Sequence, residues 1–317
     1  MNTSTGFDYE TAFSRNLGLV SPGEQERLRS TCVGLPGLGG VGSAHLQVLA
    51  RLGIGAFHLA DPDSFETSNI HRQLGATVQT VGRSKTEVLA ETARSINPEA
   101  KVTSFAEGIN AENIGAFLDG VDIVVDGIEF FALDAHRLLH AACRARGIPV
   151  VMAGPIGYGA AVWVFQPDGP AFDDYFHLEN GMTRAECLLA FGLGHARGLV
   201  SDIDPARLDL QGQRGPALCS ACVLCAAVAA TEVLKLVCKR GVLAKAPRGL
   251  YLDVFRGRML TLRSRPPLRR TLAGRFLRWI AFRRCPAFRR MHEEELASRQ
   301  VQAETVAETA SCAVLSS

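Results

Sequence analysis

The sequence has no excess of charge of one sign: 34 basic and 32 acidic side chains leave a formal net charge of +2 over 317 residues. A global field of the kind that gathers nucleic acid is therefore missing. The opening, MNTSTGFDYETAFSRN, lacks a basic n-region followed by an apolar stretch, so it does not read as a secretory signal. No uninterrupted apolar run reads as long enough to span a bilayer, and no internal repeat stands out. A complete disulfide framework is also excluded. The nine cysteines are odd in number and several lie inside apolar runs, which fits a reducing compartment. These absences predict a cytoplasmic protein.

What is present is apolar and periodic. With 47% hydrophobic residues the chain can bury one large core or two modest ones. Ser21-Pro22 with Glu24 marks a helix start in a polar N-terminal segment, 1–30. From there CVGL, IGAFHLA, AKVTSFAE, DIVVDG and IPVVMAG read as strands. Segments of helical spacing separate them, among them SAHLQVLARLG, SKTEVLAETARSI and LDAHRLLHAACRARG. This alternation predicts an α/β fold with a doubly wound, mainly parallel sheet, Rossmann-like and nucleotide-binding, across 31–262. GAAVWVF, GLYLDVF and GRMLTLR predict an antiparallel extension at its C-terminal side. Residues 170–218 show little periodicity and read as a crossover or substrate-side segment. Residues 263–317 form a basic amphipathic tail whose end is expected to be disordered.

Gly37-Leu38-Gly39-Gly40-Val41-Gly42 satisfies GxGxxG between a strand and a helix. Glycines there allow a tight turn, and the free N–H groups of the helix start can hold phosphate oxygens. Asp61 ends the next strand, where an acid can bond a ribose hydroxyl; Asp63 follows across Pro62. Up to this point the pattern fits any nucleotide, including the nicotinamide cofactor of an oxidoreductase. The stretch DPDSFETSNIHRQ then adds Asn69, Arg72 and Gln73, and Lys85 opens the following helix. Hydride transfer has no use for such a cluster, whereas cleavage of a polyphosphate needs charge neutralised around its β and γ groups. Arg72 suits bidentate phosphate contact and Lys85 supplies a point charge. A non-catalytic nucleotide-gated protein would carry the same binding residues.

GLGGVGS, DPDSFETSNIHRQ, VGRSKTEVLAE and SINPEAKV together resemble the ubiquitin-activating-type superfamily, which includes the ThiF, MoeB and HesA proteins and the tRNA threonylcarbamoyladenosine dehydratases. The likeness covers about 10–262. It implies an enzyme that uses ATP and Mg2+ to adenylate a carboxylate and release pyrophosphate. The acceptor would be a small ubiquitin-like protein, a peptide or a tRNA-linked group. By the same resemblance Gly37, Gly39, Gly40 and Gly42 would line the phosphates. Asp61 would hold the ribose, Asp63 would belong to the nucleotide-binding set, and Asn69, Arg72, Gln73 and Lys85 would contact the triphosphate. Asp126 would hold magnesium, although the family's DxxDN is here Asp126-Gly127-Ile128-Glu129-Phe130. Arg15, in FSRNLG, would reach into the ATP site of a second subunit, which implies a homodimer.

Many members close a structural zinc site with two Cys-x-x-Cys pairs. Here Cys219, Cys222 and Cys225 lie on an apolar helix with solitary Cys187 upstream, so structural zinc is not expected and Cys187 reads as an ordinary thiol. The tail interleaves arginines with Phe276, Leu277, Trp279, Ile280, Phe282 and Phe288. It reads either as a helix packed on its own domain or as a segment for an anionic surface, membrane or RNA.

Overall fold

The computed structural model describes residues 6–195, 207, 209 and 212–315. Its eight strands are β1 (Cys32–Pro36), β2 (Ala56–Ala60), β3 (Lys101–Phe105), β4 (Ile123–Asp126), β5 (Val150–Ile156), β6 (Gly159–Phe165), β7 (Arg248–Asp253) and β8 (Arg258–Arg263). They form one sheet in the order β3-β2-β1-β4-β5-β6-β7-β8. Pairing is parallel from β3 to β5 and antiparallel from β5 to β8. The five parallel strands and the closing hairpin are those expected from the sequence.

The helices are α1 (Tyr9–Ala12), α2 (Pro22–Ser30), α3 (Gly40–Leu52), α4 (Lys85–Ile96), α5 (Ile114–Phe117), α6 (Leu133–Ala145), α7 (Phe172–Phe176), α8 (Arg184–His195), α9 (Cys219–Cys238), α10 (Leu272–Arg284) and α11 (Pro286–Leu315). Helix α2 starts where its sequence says it should. Ser21 and Glu24 form a reciprocal capping box, with Pro22 in the first turn. One buried cluster lies on each side of the sheet. One is built on Leu35, Leu46, Leu59 and Val233, the other on Phe117, Leu139, Trp163 and Phe191.

Three segments take a definite form. Helix α9, with mean hydropathy 2.0 over its apolar window, is long and apolar enough to cross a membrane. It packs against β5, β6 and α3, as the strongly apolar CSACVLCAAVAATEVLKLVCKRG implies for a helix buried on the sheet, and buries Ala226, Ala229, Ala230 and Val233. Within 170–218, α7 and α8 are helical, and Phe172, Tyr175, Phe176 and Phe191 pack around Trp163, whose Nε1–H donates to the Tyr175 hydroxyl at 2.7 Å. Residues 196–206, 208, 210 and 211 lie outside the described residues. The tail, finally, is helical through Leu315, and residues 316–317 lie outside the described residues.

The tail is latched to α8 by charge. Glu186 is fully buried, and both Arg269 and Arg278 bond its carboxylate, the latter at 2.5 Å. Burial pushes this carboxyl up, but the two guanidinium groups and the Thr183 N–H overcome it and bring it to about 2 from 4.5. A lowered folded-state pKa stabilises the fold above the unfolded value and is lost as pH falls through the folded one. The latch is therefore complete above about pH 4.5 and weakens toward pH 2. Glu186→Gln is expected to lower stability by about 2–3 kcal/mol at pH 7 and to remove that acid-limb dependence, read from chemical denaturation at several pH values.

Candidate nucleotide site

The strand order reverses direction between β1 and β4, so their carboxyl ends open a crevice of the kind that holds ligands in such sheets. The glycine loop leaves β1 at this point and leads into α3. Gly37 has φ +80, and an added methyl would meet the Gly127 carbonyl at 2.4 Å. At Gly42 a methyl would lie 1.8 Å from the Gly37 carbonyl oxygen. The loop thus folds back on the first turn of α3 and against the end of β4, with no space for a side chain at Gly37 or Gly42. Gly42→Ala is expected to force the loop open and weaken ATP binding at least about tenfold, measured by calorimetry, as a backbone clash has no flexible atom to yield.

The residues after β2 close one wall. Asp61 is buried, accepts the Leu38 N–H at 2.6 Å and the Asp63 N–H at 2.9 Å, and so ties β2 to the glycine loop. Buried Lys85 reaches Asp63 at 2.7 Å and Asp61 at 3.5 Å. Arg72 lies across Gly40: a methyl there would be 3.4 Å from Arg72 Cγ. Gln73 is buried with an unpartnered Oε1, and its Nε2 is 3.8 Å from the position of a methyl on Gly39. A buried amide oxygen without a donor is costly in the free protein and is satisfied when a ligand brings one. Asn69 is also buried, but its Oδ1 accepts the Glu66 N–H at 3.0 Å and shapes the turn that carries Arg72 and Gln73. Asp61, Asp63, Arg72, Gln73 and Lys85 therefore gather at the glycine loop, and Asn69 supports them.

Asp126 departs from the magnesium role expected of it. Its side chain is closed to solvent. Oδ1 accepts the Ile128 N–H at 3.0 Å, while Oδ2 meets His136 Nδ1 at 2.7 Å and His140 Nε2 at 3.1 Å. Burial pushes this carboxyl up, yet the two imidazoles outweigh it and hold it well below the ordinary carboxylate range. Magnesium favours oxygen ligands in octahedral geometry and keeps several waters. A dry carboxylate flanked by two ring nitrogens does not fit it. Among the described residues, Asp126, His136 and His140 are also the one set of ligand-type side chains close enough to share an ion. HRLLH puts both histidines on one face of α6, one turn apart, a spacing the sequence displayed and the resemblance gave no reason to use.

Glu129 was missed for the same reason. Three residues past Asp126, its side chain is solvent-accessible at the rim of a crowded crevice. The crowding raises its pKa, with the backbone N–H of Phe130 and the charges of Arg72, His136 and Lys85 opposing. It is thus a carboxylate within the electrostatic reach of both cationic residues, with an oxygen donor set suited to magnesium.

Arg15 stands elsewhere. It is exposed on the turn Ser14–Asn16, which is anchored to the far end of α3: Asn16 Nδ2 bonds the Leu52 carbonyl at 3.3 Å, and the Tyr9 hydroxyl bonds that of Gly53 at 2.6 Å. The cysteines divide as well. Cys225 is sealed in the core and its thiol is pushed far up by burial. Cys222 has its thiol pushed up to about 11, and its sulfur would lie 3.0 Å from a methyl on Gly40, so α9 forms part of the floor of the crevice. Burial also raises the thiol of Cys187, on α8, which keeps it protonated near neutral pH.

A doubly wound sheet with a glycine loop and a cationic wall at its switch point defines an α/β nucleotide-binding protein. The chain belongs to the ThiF family, whose match runs over residues 13–271. It is 38% identical over 151 residues to a tRNA threonylcarbamoyladenosine dehydratase of Haemophilus influenzae, covering 47% of this chain and 57% of that one. It is 33% identical over 185 residues to a SAMP-activating enzyme E1 of Haloferax volcanii, covering 58% and 68%. Among solved structures, Escherichia coli MccB with AMPCPP and MccA superposes with a TM-score of 0.60 at 21% identity, over 81% of this chain and 73% of that one, and so shares the fold. The chain thus matches little more than half of the dehydratase and about two thirds of the activating enzyme.

Proposed function

We propose that this protein is an ATP-dependent adenylyltransferase acting on a carboxylate. The observation that carries this reading is the placement of Arg72, Gln73 and Lys85, with Glu129 in electrostatic reach, beside a glycine loop closed to a side chain at Gly37 and Gly42. The loop and the first turn of α3 hold the phosphates through backbone N–H groups. Asp61 retains acceptor capacity for a ribose hydroxyl beside its backbone bonds. Arg72 and Lys85 offset the negative charge that grows as the acceptor carboxylate attacks the α-phosphorus and pyrophosphate departs. Glu129 would hold magnesium; the ion would neutralise phosphate charge and template the leaving group. No side-chain nucleophile is required for this half-reaction.

Two kinds of acceptor fit. The likeness to the Haloferax SAMP-activating enzyme favours the C-terminal carboxylate of a small ubiquitin-like protein. The 38% identity to the Haemophilus dehydratase favours a threonylcarbamoyl carboxylate on tRNA. Either chemistry starts with the same adenylate. The test is incubation with α-labelled ATP, magnesium and each acceptor class, following label transfer and pyrophosphate together. Transfer to one class with stoichiometric pyrophosphate supports the reading. Tight NAD binding in place of ATP, or ATP binding with no transfer to either class, would sink it.

A further inference from the structure

The most exposed apolar side chains of the tail form one stripe. On α10, Leu272, Phe276 and Trp279 are 84%, 60% and 53% exposed, and the spacing of four and three residues puts them on one face with Arg283. The opposite face, with Leu277, Ala281 and Phe282, packs on the core, and Arg278 reaches Glu186. The helix is therefore fixed in orientation and still presents a second apolar ridge outward. Between Arg263 and Arg290 there are ten arginines and no acidic residue. Arg269, Arg270 and Arg278 are paired with Glu186 and Glu179. Arg275, Arg283, Arg284 and Arg290 are exposed, and none of them is in an ion pair among the described residues.

We propose that this face of α10 docks on an anionic lipid surface, lying in the interface plane. An apolar ridge of Leu, Phe and Trp bordered by arginines is the composition that inserts among head groups and gains from negative lipid charge. The aromatic faces argue against a base-stacking role. Phe276 and Trp279 stack on each other at 5.9 Å between centroids, and the Arg283 guanidinium lies 5.4 Å from the Trp279 centroid. The rings thus spend part of their faces on each other and on Arg283 while Leu272 stays exposed, which suits insertion better than stacking on bases. A second copy of the same face is disfavoured because a two-fold contact would set arginine-rich borders against each other.

The two tryptophans make the test direct. Trp163 is fully buried, so any change of emission on adding vesicles reports Trp279. With the full chain and phosphatidylglycerol vesicles at low salt, we expect a blue shift together with co-sedimentation, both falling as salt is raised. Phosphatidylcholine vesicles should bind at least about tenfold more weakly. The double variant Leu272→Ser with Phe276→Ser should lose at least about tenfold in vesicle affinity while keeping the wild-type melting temperature, because both residues are exposed. Equal binding to neutral vesicles would overturn the proposal, as would an unaffected double variant. Dimerisation, or a shift of RNA mobility, that depends on these two residues without any vesicle binding would reject it in favour of those partners.

Discussion

Glu129→Gln is expected to slow magnesium-dependent pyrophosphate release by about 10²–10³-fold, with the fold unchanged. Removing one preorganised charge-stabilising contact from a site of this kind costs that much. The side chain is solvent-accessible and makes one local bond, to the Phe130 N–H, so its loss leaves the core alone. The neutral isostere keeps the shape and removes the charge that would hold magnesium near Arg72 and Lys85. Asp126→Asn should behave in the opposite way. Its carboxylate is the shared partner of two buried imidazoles and of the Ile128 N–H, which sets Gly127 against Gly37 and Gly42. Neutralising one side of such a buried pair is expected to cost about 3 kcal/mol in stability. Chemical denaturation and calorimetric ATP binding, with and without magnesium, separate the two. A Glu129→Gln enzyme with the wild-type rate and magnesium dependence, or an Asp126→Asn protein of wild-type stability that has lost only its magnesium dependence, would return the ion to Asp126.

The different surroundings of Asp126 and Glu129 show where the sequence was legible. Strand and helix periodicity is a local property, so the parallel strands, the glycine loop and the hairpin could be read directly. The placement of Asp61, Arg72, Gln73 and Lys85 also follows from local signals, since the loop after β2 folds mostly on itself. Asp126 and Glu129 could not be separated in that way. Both are acids at the end of one strand, and what distinguishes them is α6, whose His136 and His140 come back across the sheet to claim one of the two. Helix α8 was hidden for another reason. Its apolar residues are spread around the helix because it packs beneath the tail as well as beside the core. Yet Thr183 and Glu186 form a reciprocal capping box, a local signal in TRAE that marks its start.

Arg15→Ala is expected to lower activity by about 10³-fold and to be rescued by a chain that is itself inactive. Arg15 sits beside the C-terminal end of α3 and the glycine loop beside its N-terminal end. Thirteen helical residues separate them by about 20 Å, more than an arginine side chain can cross. If Arg15 contributes to catalysis, as its place in the family resemblance implies, it must do so at the site of a second subunit. An arginine supplied in trans at a phosphoryl centre is worth about 10³ or more in rate, because its charge meets the transition state only in the assembled enzyme. Mixing Arg15→Ala with Arg72→Ala chains should then restore activity. A heterodimer of the two has one site carrying both arginines and one carrying neither. With random assortment half of the dimers are mixed, so about a quarter of the wild-type activity should return, following the statistics of a two-fold assembly. Sedimentation fixes the assembly state in parallel, and differently tagged chains confirm exchange. No recovery in confirmed heterodimers would exclude action in trans, and a fully active monomer would exclude the dimer.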